Sequence, residues 1–256
     1  MVDVGAYSSV DVVGVPVGRL SLMEIVSTIL DWTETSGMKV ALGVNAYVCN
    51  MAARDPSFRD KVLGADLAYA DGQAIVWAAR ALGAPIDGRS ATTDLIYPLV
   101  TECVRKNKRV FLFGGASGVA QLAGERLAEH APGLLFRSHH GDVSHESTQA
   151  LLVELAEFNP DVLLIGLGDP LQQNWIVDNR TSLQVPAILT CGGLFDWVSG
   201  AHKRAPVWMI RSGLEWLWRL LLEPRRLANR YIVGNLTFIA RFSVQLASSK
   251  LHRRAR

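Results

Sequence analysis

Residues 109–140 read RVFLFGGASGVAQLAGERLAEHAPGLLFRSHH. A β-rich run, RVFLFGG, meets a glycine turn, then a helical pattern over 117–130, then a second β-rich run, LLFRSHH. Strand, glycine turn, helix and strand make a parallel βαβ unit, since a helix is the usual crossover between parallel neighbours. Ser117 is placed to cap the helix, and Pro132-Gly133 breaks the chain after it.

Outward from this unit the same rhythm recurs. Towards the N-terminus the pattern predicts a short strand DVVGVPV, helices at 21–36, 46–54, 73–82 and 92–107, and strands at 39–43 and 66–69. Towards the C-terminus it predicts a helix at 146–157, the strand DVLLIGLG, a helix from Leu171 and the strand VPAILTCGG. Such alternation is the signature of an α/β fold, here a Rossmann-like, largely parallel sheet flanked by helices. No repeat of 20–50 residues and no low-complexity linker interrupts it.

With 256 residues, 49% hydrophobic and 20% charged, the chain has ordinary globular usage, which excludes a disordered or collagen-like protein. At this length roughly 70 to 75% of the unfolded surface can be buried without disulfides or metal. Cys49, Cys103 and Cys191 are odd in number and far apart, which argues against a disulfide framework or a structural zinc site and for a reducing compartment. The first twenty residues lack a basic and then apolar leader pattern, so no signal peptide is expected. No apolar run reaches 18 residues, which excludes an ordinary transmembrane helix.

Charge divides the chain. Residues 1–200 hold 14 Lys and Arg against 22 Asp and Glu, whereas residues 201–256 hold 12 against 2, or net charges of −8 and +10. The expected organisation is therefore an α/β domain over 1–200 and a basic helical appendage over 201–256. Such a tail suits a polyanionic partner, either nucleic acid or an anionic membrane. Trp208, Trp216, Trp218 and many Leu and Ile residues lie among its arginines, which favours lipid. Arg230 and Arg241 interrupt its most apolar stretch, 228–247, so lying in the interface is expected rather than spanning. Pro224 should open a new helix.

Ligands of open parallel sheets bind beyond the carboxyl ends of the strands, so the residues after each strand are the candidates. Four such loops stand out. Gly43-Val44-Asn45 follows KVAL, and Asp71-Gly72-Gln73 follows DLAYA. A carboxylate there can act as a base or bind a hydroxyl; the plainer alternative is a helix cap. In GGASG, Gly114 and Gly115 let the backbone approach a phosphate at a helix start, although neither a P-loop nor a complete G-x-G-x-x-G is present. GLGDPLQQNW offers Gly168, Gln172 and Gln173 to a polar ligand, or else forms a strand-to-helix turn with surface amides. His139, His140 and His145 have no Glu or Cys at ligand spacing, so they read as a polar loop rather than a metal site. There is no G-x-S-x-G and no D-x-D.

Taken in order, GVNAYVCNMAARDPSFRDKVLGADLAYADGQAIVWAARALG, FLFGGASG, GLGDPLQQNW and CGGLFDWVSGAHKRAPVWMIRSGLEWLWRLLLEPRRLANRY resemble the WecG/TagA/CpsF family of bacterial glycosyltransferases over roughly residues 10 to 232. The resemblance implies transfer of a sugar from a UDP-sugar to a polyprenyl diphosphate-linked saccharide on the cytoplasmic face of the cell membrane, in cell-surface polysaccharide or cell-wall polymer synthesis. It also implies inversion at the anomeric carbon, no metal and no cofactor. The family's D-G aspartate falls on Asp71, the implied base beside Gly72, and the arginine after the following helix falls on Arg89. Its T-x-N motif falls on Gly43-Val44-Asn45, keeping Asn45 and losing the threonine. In G-L-G-x-P-x-Q-E the glutamine is Gln172 and the glutamate has become Gln173.

Arg204, Arg211, Arg219, Arg225 and Arg226 fall in the family's C-terminal appendage, where they would face the leaving diphosphate, contact lipid headgroups or form surface salt bridges. The implied partners are the sugar donor, the lipid-linked acceptor and an anionic membrane surface, with no nucleic acid; an oligomer is allowed. Two rivals remain. One is a non-catalytic nucleotide-binding peripheral membrane protein. The other is a nicotinamide oxidoreductase, which lacks its acidic ribose ligand because Arg137 and His139 occupy the strand that would carry it.

Overall fold

Strands covered on both faces need apolar side chains at nearly every position, and RVFLFG and VLLIG supply them. The computed structural model describes the backbone of residues 7–254 and their side chains apart from those of 211, 226 and 252–254. Six parallel strands form one sheet: β3 (Lys39–Val44), β4 (Leu67–Ala70), β5 (Arg109–Gly114), β6 (Leu135–His139), β7 (Val162–Gly166) and β8 (Ala187–Thr190). Their order across the sheet is β4-β3-β8-β7-β5-β6.

Alternate side chains go to opposite faces. Val110, Leu112, Val162, Leu164 and Leu189 pack with α1 (Leu22–Trp32), α5 (Thr92–Arg105) and α6 (Val119–His130). Phe111, Phe113, Leu163 and Ile165 pack on the other face with α7 (His145–Phe158) and α8 (Leu171–Asp178). On that same face Leu42 and Val44 pack with α2 (Ala46–Ala52), α3 (Pro56–Leu63) and α4 (Gln73–Ala81).

The crossover after β3 leads to β4 on one side, and the crossover after β5 leads to β6 on the other. Loops at the strand carboxyl ends therefore diverge above the middle of the sheet, where such folds bind ligands. From β8 the chain leaves the sheet through α9 (Leu194–Val198).

Several local expectations change. DVVGVPV is a hairpin, β1 (Ser9–Val12) and β2 (Val15–Gly18), because Val13 and Gly14 both take positive φ, 54° and 80°, as a tight two-residue turn requires. Ser117 does not cap α6; Gly118 does, at φ 82° and without a side-chain bond. Helix α3 was not predicted. Its start is fixed by Asp55, which accepts from the N–H groups of Ser57 and Phe58, with Pro56 at the first helical position.

The appendage is helical: α10 (Val207–Arg211), α11 (Glu215–Leu222), α12 (Pro224–Ala228), a π-turn at Asn229–Val233 and α13 (Gly234–Arg254). Pro224 opens α12, as expected. Helix α13 lies on α2, with Phe238 buried among the residues that cover Leu42 and Val44. Arg241 donates to the Asn50 carbonyl, and Gln245 bonds the hairpin at Asp11 and Val13. Arg241 is thus tied to protein. Among the described residues no helix is long and apolar enough to cross a membrane.

Candidate active site

Asn45 caps α2, its Oδ1 accepting from the N–H groups of Tyr47 and Val48 at 3.0 and 3.2 Å. That bonding turns Nδ2 towards Asp71 Oδ2, 3.5 Å away. The two loops are pinned together by the Asp71 and Gly72 N–H groups, both bonded to the Val44 carbonyl. Gly72 is required there, since a Cβ would lie 2.8 Å from Asn45 Cβ. Gly43 borders the same place: a Cβ on it would meet Asp71 Cβ at 3.0 Å and the Tyr69 hydroxyl at 3.3 Å.

Asp71 does not cap the helix that follows it. The cap of α4 is Gly72, with no side-chain bond. Asp71 Oδ1 instead accepts from the Thr92 N–H at 2.9 Å and from Thr92 Oγ1 at 3.1 Å, so it anchors the start of α5. Among the described residues Oδ2 has only the long contact with Asn45. One oxygen is held and the other is open.

Arg89 leads into that helix, yet its guanidinium is engaged. Nη1 bonds Glu215 at 2.8 Å and Nη2 lies 3.5 Å from Asp94. Arg204 joins the cluster through Asp94, Thr93 and, at 3.7 Å, Glu215. Two body residues and two appendage residues thus form one ionic knot across the junction. Glu215 is buried, with a side-chain exposure of 5%, and Arg89 is partly buried, at 13%.

Across the sheet, Gly114 takes φ 144° with a would-be Cβ only 2.4 Å from the Gly166 carbonyl oxygen, and a Cβ on Gly166 would lie 2.7 Å from the Phe195 ring, so neither strand end tolerates a side chain. Gly115 and Gly118 also take positive φ, leaving the first N–H groups of α6 without a side-chain cap. Gly168 has open space beside it. Gln172 and Gln173 are buried rather than surface amides. Both donate to Asp169 Oδ1, at 2.8 and 2.6 Å, and Gln172 Oε1 accepts the Gly192 N–H at 3.1 Å. Burial raises the Asp169 carboxyl above its ordinary range; the two amides act against this, and the Asp71 charge acts with it.

Other appendage residues close over these loops. Gly213, at φ 73°, sits against Gln73 and Trp77 of α4. Arg219 stacks on Trp197 at 4.7 Å, and Arg230 on Tyr47 at 4.1 Å. Arg225 is exposed. The side chains of Arg211 and Arg226 lie outside the described residues.

The structure therefore brings together Gly43, Asn45, Asp71 and Gly72 directly, and Gly168, Gln172 and Gln173 in a second group linked to the first through Asp169. Sequence reasoning missed Tyr69, Thr92, Asp94, Asp169, Glu215 and Arg230. Glu215 carried a signal, as one of only two acids in the basic segment 201–256. Among the described residues no group of three or more His, Cys, Asp or Glu side chains is placed to hold a metal ion.

Residues 10–252 match the family described as "Glycosyl transferase WecG/TagA/CpsF family". Two relatives from Staphylococcus aureus, strains NCTC 8325 / PS 47 and COL, are each 25% identical over 249 residues, covering 95% of this chain and 94% of the relative. Both are named N-acetylglucosaminyldiphosphoundecaprenol N-acetyl-beta-D-mannosaminyltransferase.

Proposed function

The chain belongs to the WecG/TagA/CpsF family of glycosyltransferases, and from that premise we propose that it moves a sugar from a UDP-sugar to a polyprenyl diphosphate-linked saccharide, with inversion and without a metal. The observation that carries this reading is the open Asp71 Oδ2 at a strand carboxyl end, with its partner oxygen held by Thr92. In the reaction Oδ2 takes the proton of the acceptor hydroxyl, the hydroxyl oxygen bonds to the anomeric carbon, and the bond to UDP breaks with its electron pair leaving on the diphosphate. General-base assistance of this kind is worth about 10²- to 10⁴-fold.

Charge growing on UDP needs donors fixed in advance. The uncapped start of α6 with Gly114 and Gly115 is suited to this, as is Arg204, whose Nε makes no hydrogen bond among the described residues and lies 3.7 Å from Glu215. Arg89 is held in place by Asp94 and Glu215. The body over 1–200 binds the donor, and the appendage over 201–256 completes the site. The names of the relatives make N-acetylmannosamine the sugar to test first and N-acetylglucosamine on undecaprenyl diphosphate the acceptor. UDP release that requires the lipid acceptor separates this enzyme from a protein that only binds nucleotide.

Because no metal-ligating group is found among the described residues, turnover is expected to persist in excess EDTA. Complete inhibition reversed by magnesium or manganese would contradict that expectation.

On this reading the enzyme works at the cytoplasmic membrane surface as a peripheral protein. Support comes from apolar side chains left exposed on the appendage: Trp208 at 63%, Leu221 at 66%, Leu236 at 65% and Ile239 at 57%. Such residues enter the headgroup boundary while each nearby Lys or Arg adds about 1 kcal/mol on an anionic leaflet. The double variant Leu236→Glu with Ile239→Glu should sediment far less with anionic vesicles than the unaltered protein, and added salt should weaken both. Unchanged sedimentation would remove α13 from the membrane contact.

A further inference from the structure

Behind Asp71 lies a chain of hydroxyls. The Tyr69 hydroxyl is 2.9 Å from Thr92 Oγ1, and Thr92 Oγ1 is 3.1 Å from Asp71 Oδ1. Tyr69 is fully buried and Thr92 nearly so. Direction follows from proton count. An ionised carboxylate only accepts, so the single Thr92 hydroxyl proton goes to Asp71, and Tyr69 must donate to Thr92. Burial, and then the Asp71 charge, push the Tyr69 phenol well above its usual value, so it keeps its proton throughout the working range.

We propose that Thr92 and Tyr69 are positioning residues that commit Asp71 Oδ1 to the helix α5 side and leave Oδ2 as the base. The proposal rests on Asp71 being the base. Two donors on Oδ1, the Thr92 N–H and O–H, leave that oxygen no role towards substrate, whereas among the described residues Oδ2 has only Asn45, at 3.5 Å. Gly43 leaves the relay uncrowded, since a Cβ there would press on Asp71 and on the Tyr69 hydroxyl together.

Other titratable and charged groups also face this place. They are Asp169 on the loop after β7, Arg230 of the appendage beyond it, Cys191 next to Tyr69, and the knot of Arg89, Asp94, Arg204 and Glu215 at the start of α5. None of them is altered by removing a hydroxyl from Thr92 or Tyr69, so a change in kcat at constant donor KM in those variants reads the relay.

The test is kcat and the donor KM of the full-length protein, with UDP-N-acetylmannosamine and N-acetylglucosaminyl-diphosphoundecaprenol as the substrates. Thr92→Val should lower kcat about tenfold with the donor KM little changed, the size expected when a hydrogen bond to a charged group is lost. Thr92→Ser, which keeps the hydroxyl, should restore kcat. Tyr69→Phe removes only the outer donor, so it should lower kcat by less, and it stands in if Thr92→Val folds poorly. An unchanged kcat in Thr92→Val and Tyr69→Phe, while Asp71→Asn is inactive, would overturn the relay and leave the base in place. Near-normal turnover in Asp71→Asn would instead overturn the base, and the relay with it.

Discussion

Asp71→Asn should lose at least about 10²-fold in turnover while folding normally and still binding UDP. The asparagine carbonyl oxygen can occupy the Oδ1 position and accept both Thr92 donors, so the start of α5 keeps its anchor. Its amide then stands where Oδ2 stood and cannot take a proton. The effect should therefore appear in kcat rather than in stability or in nucleotide affinity. A variant with normal turnover would remove Asp71 from the chemistry. One with a large fall in melting temperature and a matching fall in active protein would mean that the carboxylate serves chiefly to anchor α5.

The second large effect is expected at Glu215, which ties the appendage to the body. Glu215→Ala leaves Arg89 and Arg204 at a half-buried junction with Asp94 as their one shared carboxylate among the described residues. Removing one partner of a buried ion pair typically costs 3–5 kcal/mol. With Asp94 still present, the lower end applies, about 3 kcal/mol, read as a shift in the urea midpoint at unchanged slope. Replacing Arg89 with Met and Glu215 with Leu together should recover much of that stability without restoring activity, because the stranded charge goes but the ordered guanidinium goes too. A loss well under about 1 kcal/mol for Glu215→Ala would make the contact an ordinary surface pair.

The sheet was legible because a strand covered on both faces has nowhere to place polar residues, and VFLF and VLLI stand out for that reason. The hairpin was not, since valine at positive φ is the less expected half of a Val13-Gly14 turn. Helix α3 escaped because PSFRDKVL buries only Phe58 and Val62 and shows little apolar periodicity. Position at strand ends was enough to pick out Asn45, Asp71, Gln172 and Gln173. What surrounds them was hidden in distance along the chain. Thr92 lies 21 residues from Asp71, and Glu215 lies 126 residues from Arg89; neither separation leaves a local pattern. Gln172 and Gln173 could be read from sequence either as ligand-facing or as surface amides, and their shared partner, Asp169, emerged only when the α8 turn placed both amides on one carboxylate.

The central claim is transfer of a sugar from a UDP-sugar to a lipid diphosphate acceptor. It is tested most directly by the mass of the lipid product after incubating the full-length protein with UDP-N-acetylmannosamine and N-acetylglucosaminyl-diphosphoundecaprenol in anionic vesicles. The account predicts an acceptor heavier by one transferred sugar residue, formed in step with UDP release and abolished in Asp71→Asn. An unchanged acceptor mass with this donor and with a wider set of UDP-sugars, in a preparation that still binds UDP, would contradict it.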